Sequence, residues 1–350
     1  MESEPKMKVT LAVSTYNSAA TIVPCVESLL ATDYPDKEII IIDDGSTDRT
    51  LELLKEYPVK VIPQNHQGVS AGRDLALRNA TGEYILYTDS DCEVDRMWVR
   101  EMLAPFDNSD IGAVTGRTVF RTDARCTSWI RSLDIEERYA RRKTYTELAN
   151  GTNCAFPTKL LLETGGFDPH WFHAEDTEVS YRILQQGLRI YYQPSAIVRH
   201  VPEGNWRAYL RKRYRGTRAH LRMMPKYAKD VVSDDFVSRK MLFQPVAYTL
   251  AVGLAGIAIL GAILGRLGLN WAFTVEAWAI GVGFACYLLG ILAEFPLIFK
   301  VFEKSRRIDY LFKCFILLSA KGFMIGAGVF SGVWQNKKLF WDRFILRKKG

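Results

Sequence analysis

An α/β domain on a mostly parallel sheet, followed by a helical membrane region, is the fold class the sequence predicts. Three observations predict it. Short apolar runs alternate with helical stretches from Lys8 to Thr88. Carboxylates recur where those runs end, at Asp43-Asp44 and at Asp89-Ser90-Asp91. Leu242 to Leu264 then passes without a single charged side chain. Such alternation requires strands joined by right-handed helical crossovers, a topology that gathers functional groups at the carboxyl ends of its strands.

Taken in order, KVTLAVST from Lys8 is the first strand, and Asn17-Ser18 begins a helix to about Leu30. KEIIIIDDGS is the second, and its unbroken isoleucines mark a strand buried on both faces. Ser46-Thr47-Asp48 caps a helix running to about Tyr57. VKVIPQ is a short third strand, Gly68 to Asn79 a helix, and Tyr84 to Thr88 the fourth strand. IGAVTGRTVF reads as a further strand and Ala124 to Lys143 as a charged helix. NGTNCAFPTKLLLETGGFD reads as a loop around a short helix, Glu175 to Gln186 as a helix, and LRIYYQPSAIVRH closes the soluble domain. No Gly-x-Gly-x-x-Gly follows the first strand and no Walker A pattern occurs, which disfavours dinucleotide dehydrogenases and P-loop enzymes.

Three acidic groups carry chemistry, each with a plainer reading beside it. Asp89 and Asp91 form a hard-oxygen pair suited to Mg²⁺ or Mn²⁺, or else a helix cap with one spare acid. Asp44, at the mouth of a helix, can accept hydrogen bonds from a base or ribose, although Asp-Gly followed by Ser-Thr-Asp also makes a good turn. Glu175, Asp176 and Glu178 complement a helix dipole, and one of them could equally act as a general base. Arg73 can reach phosphates or face solvent. His200 ends the strand-like AIVRH segment, as a packing residue or as a further metal ligand.

Charge is unevenly spread. Residues 1–205 carry 22 Lys and Arg against 31 Asp and Glu, residues 206–240 carry 11 against 3, and residues 241–350 carry 13 against 5. The basic remainder indicates an anionic surface, and the apolar runs 242–264, 277–298 and 311–334 make that surface a membrane, not nucleic acid. Three parts are therefore expected: a domain over 1–205, a basic amphipathic interfacial segment over 206–240, and membrane-embedded helices over 241–350. In the interfacial segment Arg211, Arg213 and Arg215 are the side chains that could reach a lipid phosphate. Basic clusters at 300–313 and 337–349 place the first domain, the second loop and the C-terminus in the cytoplasm by the positive-inside rule. Because a mid-bilayer Lys321 is costly, two crossings plus an embedded third segment are expected. The acidic opening enters a strand at once, so no export signal is expected there. Six cysteines without Cys-x-x-Cys spacing read as reduced packing residues, implying neither disulfides nor zinc.

VSTYNSAATIVPCVESLLATDYPDKEIIIIDDGSTDRT, the Asp-x-Asp at 89–91, GGFDPHWFHAEDTEVSYR and the apolar tail, in this order, resemble family 2 glycosyltransferases, whose fold is GT-A. The resemblance covers roughly residues 8–215. It implies an inverting transfer from a nucleotide-diphosphate sugar with Mg²⁺ or Mn²⁺. Asp44 would contact the nucleotide base, with Ser14, Thr15 and Tyr16 walling the same pocket and Arg73 on the nucleotide side. Asp89 and Asp91 would bind ribose and metal, Asp91 more directly. Asp176 would be the base, with Glu175 as the fallback. The Gln-x-x-Arg-Trp motif of the family's processive synthases is missing, and RKRYRGT stands in its region. Transfer of one sugar to a polyprenyl-linked acceptor at the cytoplasmic face is therefore expected. Two rivals stand beside it: a polyprenyl-phosphate-sugar synthase, and a non-catalytic membrane scaffold that binds a sugar nucleotide.

Overall fold

The computed structural model describes residues 7–171, 174–202, 204–233 and 239–335. The basic stretch 337–349, weighed in the sequence, lies outside the described residues. Two compact units are distinguished. One comprises the residues up to Arg121 and 135–202, the other 122–134, 204–228 and the residues from 239 on.

In the first unit, β1 (Val9–Thr15), β2 (Lys37–Asp43), β3 (Lys60–Pro63) and β4 (Tyr84–Asp89) run parallel in the order β3-β2-β1-β4. The crossovers are α1 (Ile22–Leu30), α2 (Thr50–Leu54) and α3 (Val69–Asn79). The isoleucines of β2 divide as a doubly covered strand requires. Ile39 and Ile41 pack with Val26 and Leu29 of α1, while Ile40 and Ile42 pack with Ala76 and Leu77 of α3. The register pairs Thr15 with Asp43 and Ser14 with Asp89, which lines the acids up along the carboxyl ends of the parallel strands.

Beyond β4 the sheet becomes mixed. Its remaining strands are β5 (Cys92–Val94), β6 (Ile111–Phe120), β7 (Tyr145–Thr146), β8 (Asn153–Pro157) and β9 (Arg189–His200). The order continues β8-β6-β9-β5, with β7 paired to β9. β8 is antiparallel to β4 and β6, β6 is parallel to β9, and β5 is antiparallel to β9. Helices α4 (Trp98–Leu103), α5 (Cys126–Ala140), α6 (Thr158–Glu163) and α7 (Glu175–Leu184) complete the order. The stretch expected as a loop around a helix thus supplies a central strand, β8. It hides because both its faces are buried and its ends are Asn and Pro, which read as turn residues. Asn153 is buried yet satisfied: its Oδ1 accepts from Trp98 Nε1 at 2.8 Å, and its Nδ2 donates to the carbonyls of Arg117 and Ala196.

The second unit holds α8 (Trp206–Ser233) as far as Ala228, with α9 (Arg239–Arg266), α10 (Trp271–Leu292), α11 (Phe295–Ser305) and α12 (Asp309–Gln335). Val246–Arg266, Trp271–Leu292 and Asp309–Trp334 are each long and apolar enough to cross a membrane. One sequence expectation is corrected here. The run 277–298 is not one helix, because it breaks at Ala293-Glu294 and Pro296 opens α11. Lys321, whose charge argued for an embedded third segment, is buried and ion-paired with Glu294.

Candidate active site

Arg73 organises the acidic cluster. It sits on α3, which crosses β1, and its guanidinium is buried. Nη1 donates to Glu175 Oε1 at 2.5 Å and Nη2 to Asp89 Oδ1 at 2.9 Å. The other oxygen of Asp89 accepts from Thr152 Oγ1 at 2.8 Å. Gly151 lies flat against the guanidinium, and a Cβ there would stand 2.2 Å from Arg73 Nη1. The same glycine donates its N–H to Asp176 Oδ2 at 3.0 Å. The bridge therefore joins the end of β4 to the start of α7 through charge-assisted hydrogen bonds. Burial pushes the Glu175 carboxyl up to about 7, against the pull of Arg73. Asp176, half-buried, is held from two sides, since its Oδ1 accepts from the N–H of Thr177 at 2.7 Å. Ala174, just before the pair, adopts a left-handed conformation (φ 64°), unusual for a residue with a Cβ.

Asp91 faces His200. The β5–β9 register pairs Cys92 with His200, and His200 Nε2 stands 3.4 Å from Asp91 Oδ2. His200 Nδ1 lies 2.8 Å from the Val201 carbonyl, to which it can only donate, so Nε2 is the ring nitrogen turned toward Asp91. Phe120 stacks on the imidazole with centroids 4.3 Å apart, fixing the ring plane. Asp89, Asp91, Cys92 and His200 can each bring one ligand atom within 4.8 Å of the others. Burial raises the Cys92 thiol well above its ordinary value, so it stays protonated and is no ligand for a hard cation. The usable donors are oxygen and nitrogen, which fit Mg²⁺ or Mn²⁺.

Asp44 is buried and fully engaged. Its Oδ1 accepts from Gln64 Nε2 at 2.6 Å and from the N–H of Gln67 at 2.8 Å, and its Oδ2 from the N–H of Gly68 at 2.9 Å. His66 Nδ1 approaches the same Oδ2 at 3.0 Å. Tyr16, exposed, packs against the His66 ring at 4.2 Å. Two aromatic faces therefore stand over a buried carboxylate at the carboxyl ends of β1 and β2. Thr15 is buried beside Asp43, and Ser14 follows on the opposite face of β1.

The structure brings Arg73, Asp89, Glu175 and Asp176 into one network, with Asp91 and His200 adjoining, and sets Asp44 with Tyr16 at the next strand ends. Arg73, expected on the nucleotide side, is buried between two carboxylates. Arg211 and Arg215 are exposed on α8, whereas Arg213 is half-buried with its guanidinium 5.2 Å from the Tyr209 ring centre. The sequence reading missed Gly151, Thr152, His66 and Phe120. Asn-Gly-Thr at 150–152 was the one available signal, and it read as a turn.

The family model described as glycosyl transferase family 2 matches residues 10–164. A cholesterol galactosyltransferase of Borreliella burgdorferi is 38% identical over 113 residues, 30% of this chain and 32% of the relative. A poly-beta-1,6-N-acetyl-D-glucosamine synthase of Staphylococcus aureus is 29% identical over 203 residues, 54% of this chain and 48% of the relative. The alignments thus span half or less of those relatives. A mannosyltransferase from Pyrobaculum calidifontis, solved with GDP-Man and Mn²⁺, superposes with a TM-score of 0.59 at 21% identity. That superposition covers 95% of this chain and 88% of the other, and it shows the shared GT-A fold.

Proposed function

Because residues 10–164 match the family 2 glycosyltransferase model, we propose that the chain moves one sugar from a nucleoside-diphosphate sugar to a polyprenyl-linked acceptor, with inversion. The observation that supports this most is the Arg73 bridge. It fixes an acid of the Asp-x-Asp turn and the neighbour of Asp176 in one buried network. Donor-holding and proton-accepting groups then share a rigid frame.

Tyr16 and His66 offer ring faces to a nucleobase, in front of buried Asp44. Asp91 and His200 would hold Mg²⁺ or Mn²⁺, which when bound offsets negative charge on the departing diphosphate. Glu175 is taken up by Arg73, which leaves Asp176 as the base. As the acceptor oxygen bonds to the anomeric carbon, the carbon–oxygen bond to the diphosphate breaks on the opposite face. The hydroxyl proton passes to the Asp176 carboxylate. Gly151 and Thr177 hold that carboxylate by their N–H groups and so set its direction.

Three apolar helices and the basic α8 support a lipid-linked acceptor. Lys300, Lys304, Arg306 and Arg307 follow the second candidate span, whereas Arg266 alone marks the end of the first. That asymmetry supports a cytoplasmic catalytic domain. The test is transfer from labelled nucleotide sugars, with Mn²⁺, to polyprenyl phosphate or to a polyprenyl-diphosphate saccharide. The expected result is one sugar on a saccharide hydroxyl, with inverted configuration by NMR. Transfer to the lipid phosphate that is indifferent to Asp176→Asn would replace this reading with the polyprenyl-phosphate-sugar synthase. Nucleotide binding without any turnover would favour the scaffold.

A further inference from the structure

The membrane-helical unit contains charge that an apolar bundle does not need. Glu294 and Lys321 are both buried and ion-paired, one between α10 and α11, the other midway along α12. Ionisable groups among helices of membrane-crossing length are costly and mark functional sites. At 100° per residue, Lys321, Gly328 and Gly332 share one face of α12. That face is covered by α8: a Cβ on Gly328 would stand 3.0 Å from the Tyr214 carbonyl, and one on Gly332 2.7 Å from Leu221. Following α8 back from Tyr214 passes Arg213 and leads to Tyr209, near the level of Lys321. Tyr209 is buried in the same apolar cluster as Ile291, Leu297 and Leu318, the residues flanking Glu294 and Lys321. Burial holds its hydroxyl above the ordinary phenol range, and four charged groups lie close enough to act on it: Lys321, Arg213, Asp134 and Glu294.

Within this group Lys321 is matched by Glu294. Arg213 is less completely matched: its guanidinium lies over Tyr209 and its Nε is buried without an acceptor, while Asp134 supplies the second acid of the group. Lys321 has further N–H donors beyond the one given to Glu294. On α9, Gln244 Nε2 and Tyr248 Oη, one helical turn apart, are also buried without partners. The ring of Tyr248 lies against Gly322, next to Lys321. Every one of these unused atoms can donate a hydrogen bond. The complement is a compact acceptor-rich anion, and the helices that carry these groups, three of them long and apolar enough to cross a membrane, call for an apolar tail attached to it.

We infer that Arg213, with Lys321 and Tyr209 behind it, forms a binding site for the phosphate of a membrane lipid in the helical unit. This rests on the lipid-linked acceptor proposed above and gives that acceptor's phosphate its anchor. Arg211 and Arg215, exposed on the same helix, are not that anchor.

The test uses the full chain, delipidated in neutral detergent, with polyprenyl phosphate, polyprenol without phosphate, and inorganic phosphate as probes. Retention is read by native mass spectrometry and by thermal shift. The wild type is expected to prefer polyprenyl phosphate over polyprenol by about tenfold or more, and Arg213→Gln to lose that preference. Arg207→Gln, which alters only an exposed arginine over Trp206, is expected to keep it. Arg213→Lys keeps the charge without the planar fork, folds if the glutamine variant does not, and is expected to lose part of the preference. Equal binding of polyprenol and polyprenyl phosphate, or an unchanged preference in folded Arg213→Gln or Arg213→Lys, would overturn the assignment. Competition by inorganic phosphate at equal concentration would make it a site for soluble anions, which also overturns it. Nucleoside-diphosphate binding, measured on the same samples, separates loss of this site from failure of the transferase reading.

Discussion

Replacing Arg73 with Met should damage the catalytic unit more than any surface change, and the damage should be repairable at Glu175. Arg73 stands between Glu175, with 9% of its side chain exposed, and Asp89, with 32% exposed. Removing one partner of a buried ion pair costs about 3–5 kcal/mol because the other charge is stranded. The Asp89 arm, nearer solvent, adds about 1 kcal/mol at most. The opening free energy of this unit should therefore fall by about 3–6 kcal/mol. It can be read from the urea dependence of alkylation at Cys25, buried on α1 within the same unit. Adding Glu175→Gln to Arg73→Met should restore about 2 kcal/mol or more, because an amide strands no charge. The pH dependence has a definite sign. The Glu175 carboxyl is raised from 4.5 to about 7, so its contribution to stability is complete below the lower value and is lost as pH rises through the higher one. Across that window the loss is of order 3 kcal/mol, and Glu175→Gln should remove it. Strict additivity of the two substitutions, with a pH profile unchanged by Glu175→Gln, would refute the buried bridge.

Three further outcomes follow from the same contacts. Asp176→Asn should lower turnover by roughly 10²–10⁴ while nucleotide binding persists, because only proton removal is lost; single-turnover transfer and calorimetry check the two separately. Gly151→Ala should cost about 1–3 kcal/mol and most of the activity, because the new methyl displaces Arg73 and tilts the N–H that holds Asp176. Lys321→Met should lower the detergent melting temperature sharply, and adding Glu294→Gln should recover most of the loss, which thermal scans of the three proteins will show.

The first half of the sheet was legible because each β–α unit is local: one apolar run, one cap, one acid at the strand end. β8 was not, since Asn153–Pro157 becomes a strand only through β4 and β6, far away in sequence. The Asp-x-Asp turn and the Glu-Asp pair could be found by spacing. What joins them could not, because Arg73 reaches Glu175 across 102 positions and Asp89 across 16. His200 looked like an isolated histidine until the β5–β9 register set it opposite Cys92, beside Asp91. The break at Glu294 was half visible in Pro296. Its partner Lys321 read as a flaw in a membrane span, because hydropathy averages along the chain and is blind to pairing across helices.

The measurement that bears most directly on the whole account is calorimetric binding of UDP, GDP, CDP and dTDP to the detergent-purified chain, with and without Mn²⁺. It is repeated on Asp91→Ala and His200→Ala proteins shown to be folded. The account predicts that one nucleoside diphosphate binds in a Mn²⁺-dependent manner and that each substitution weakens it by about tenfold or more. Binding that ignores Mn²⁺ and both substitutions, or no binding to any of the four, would contradict it.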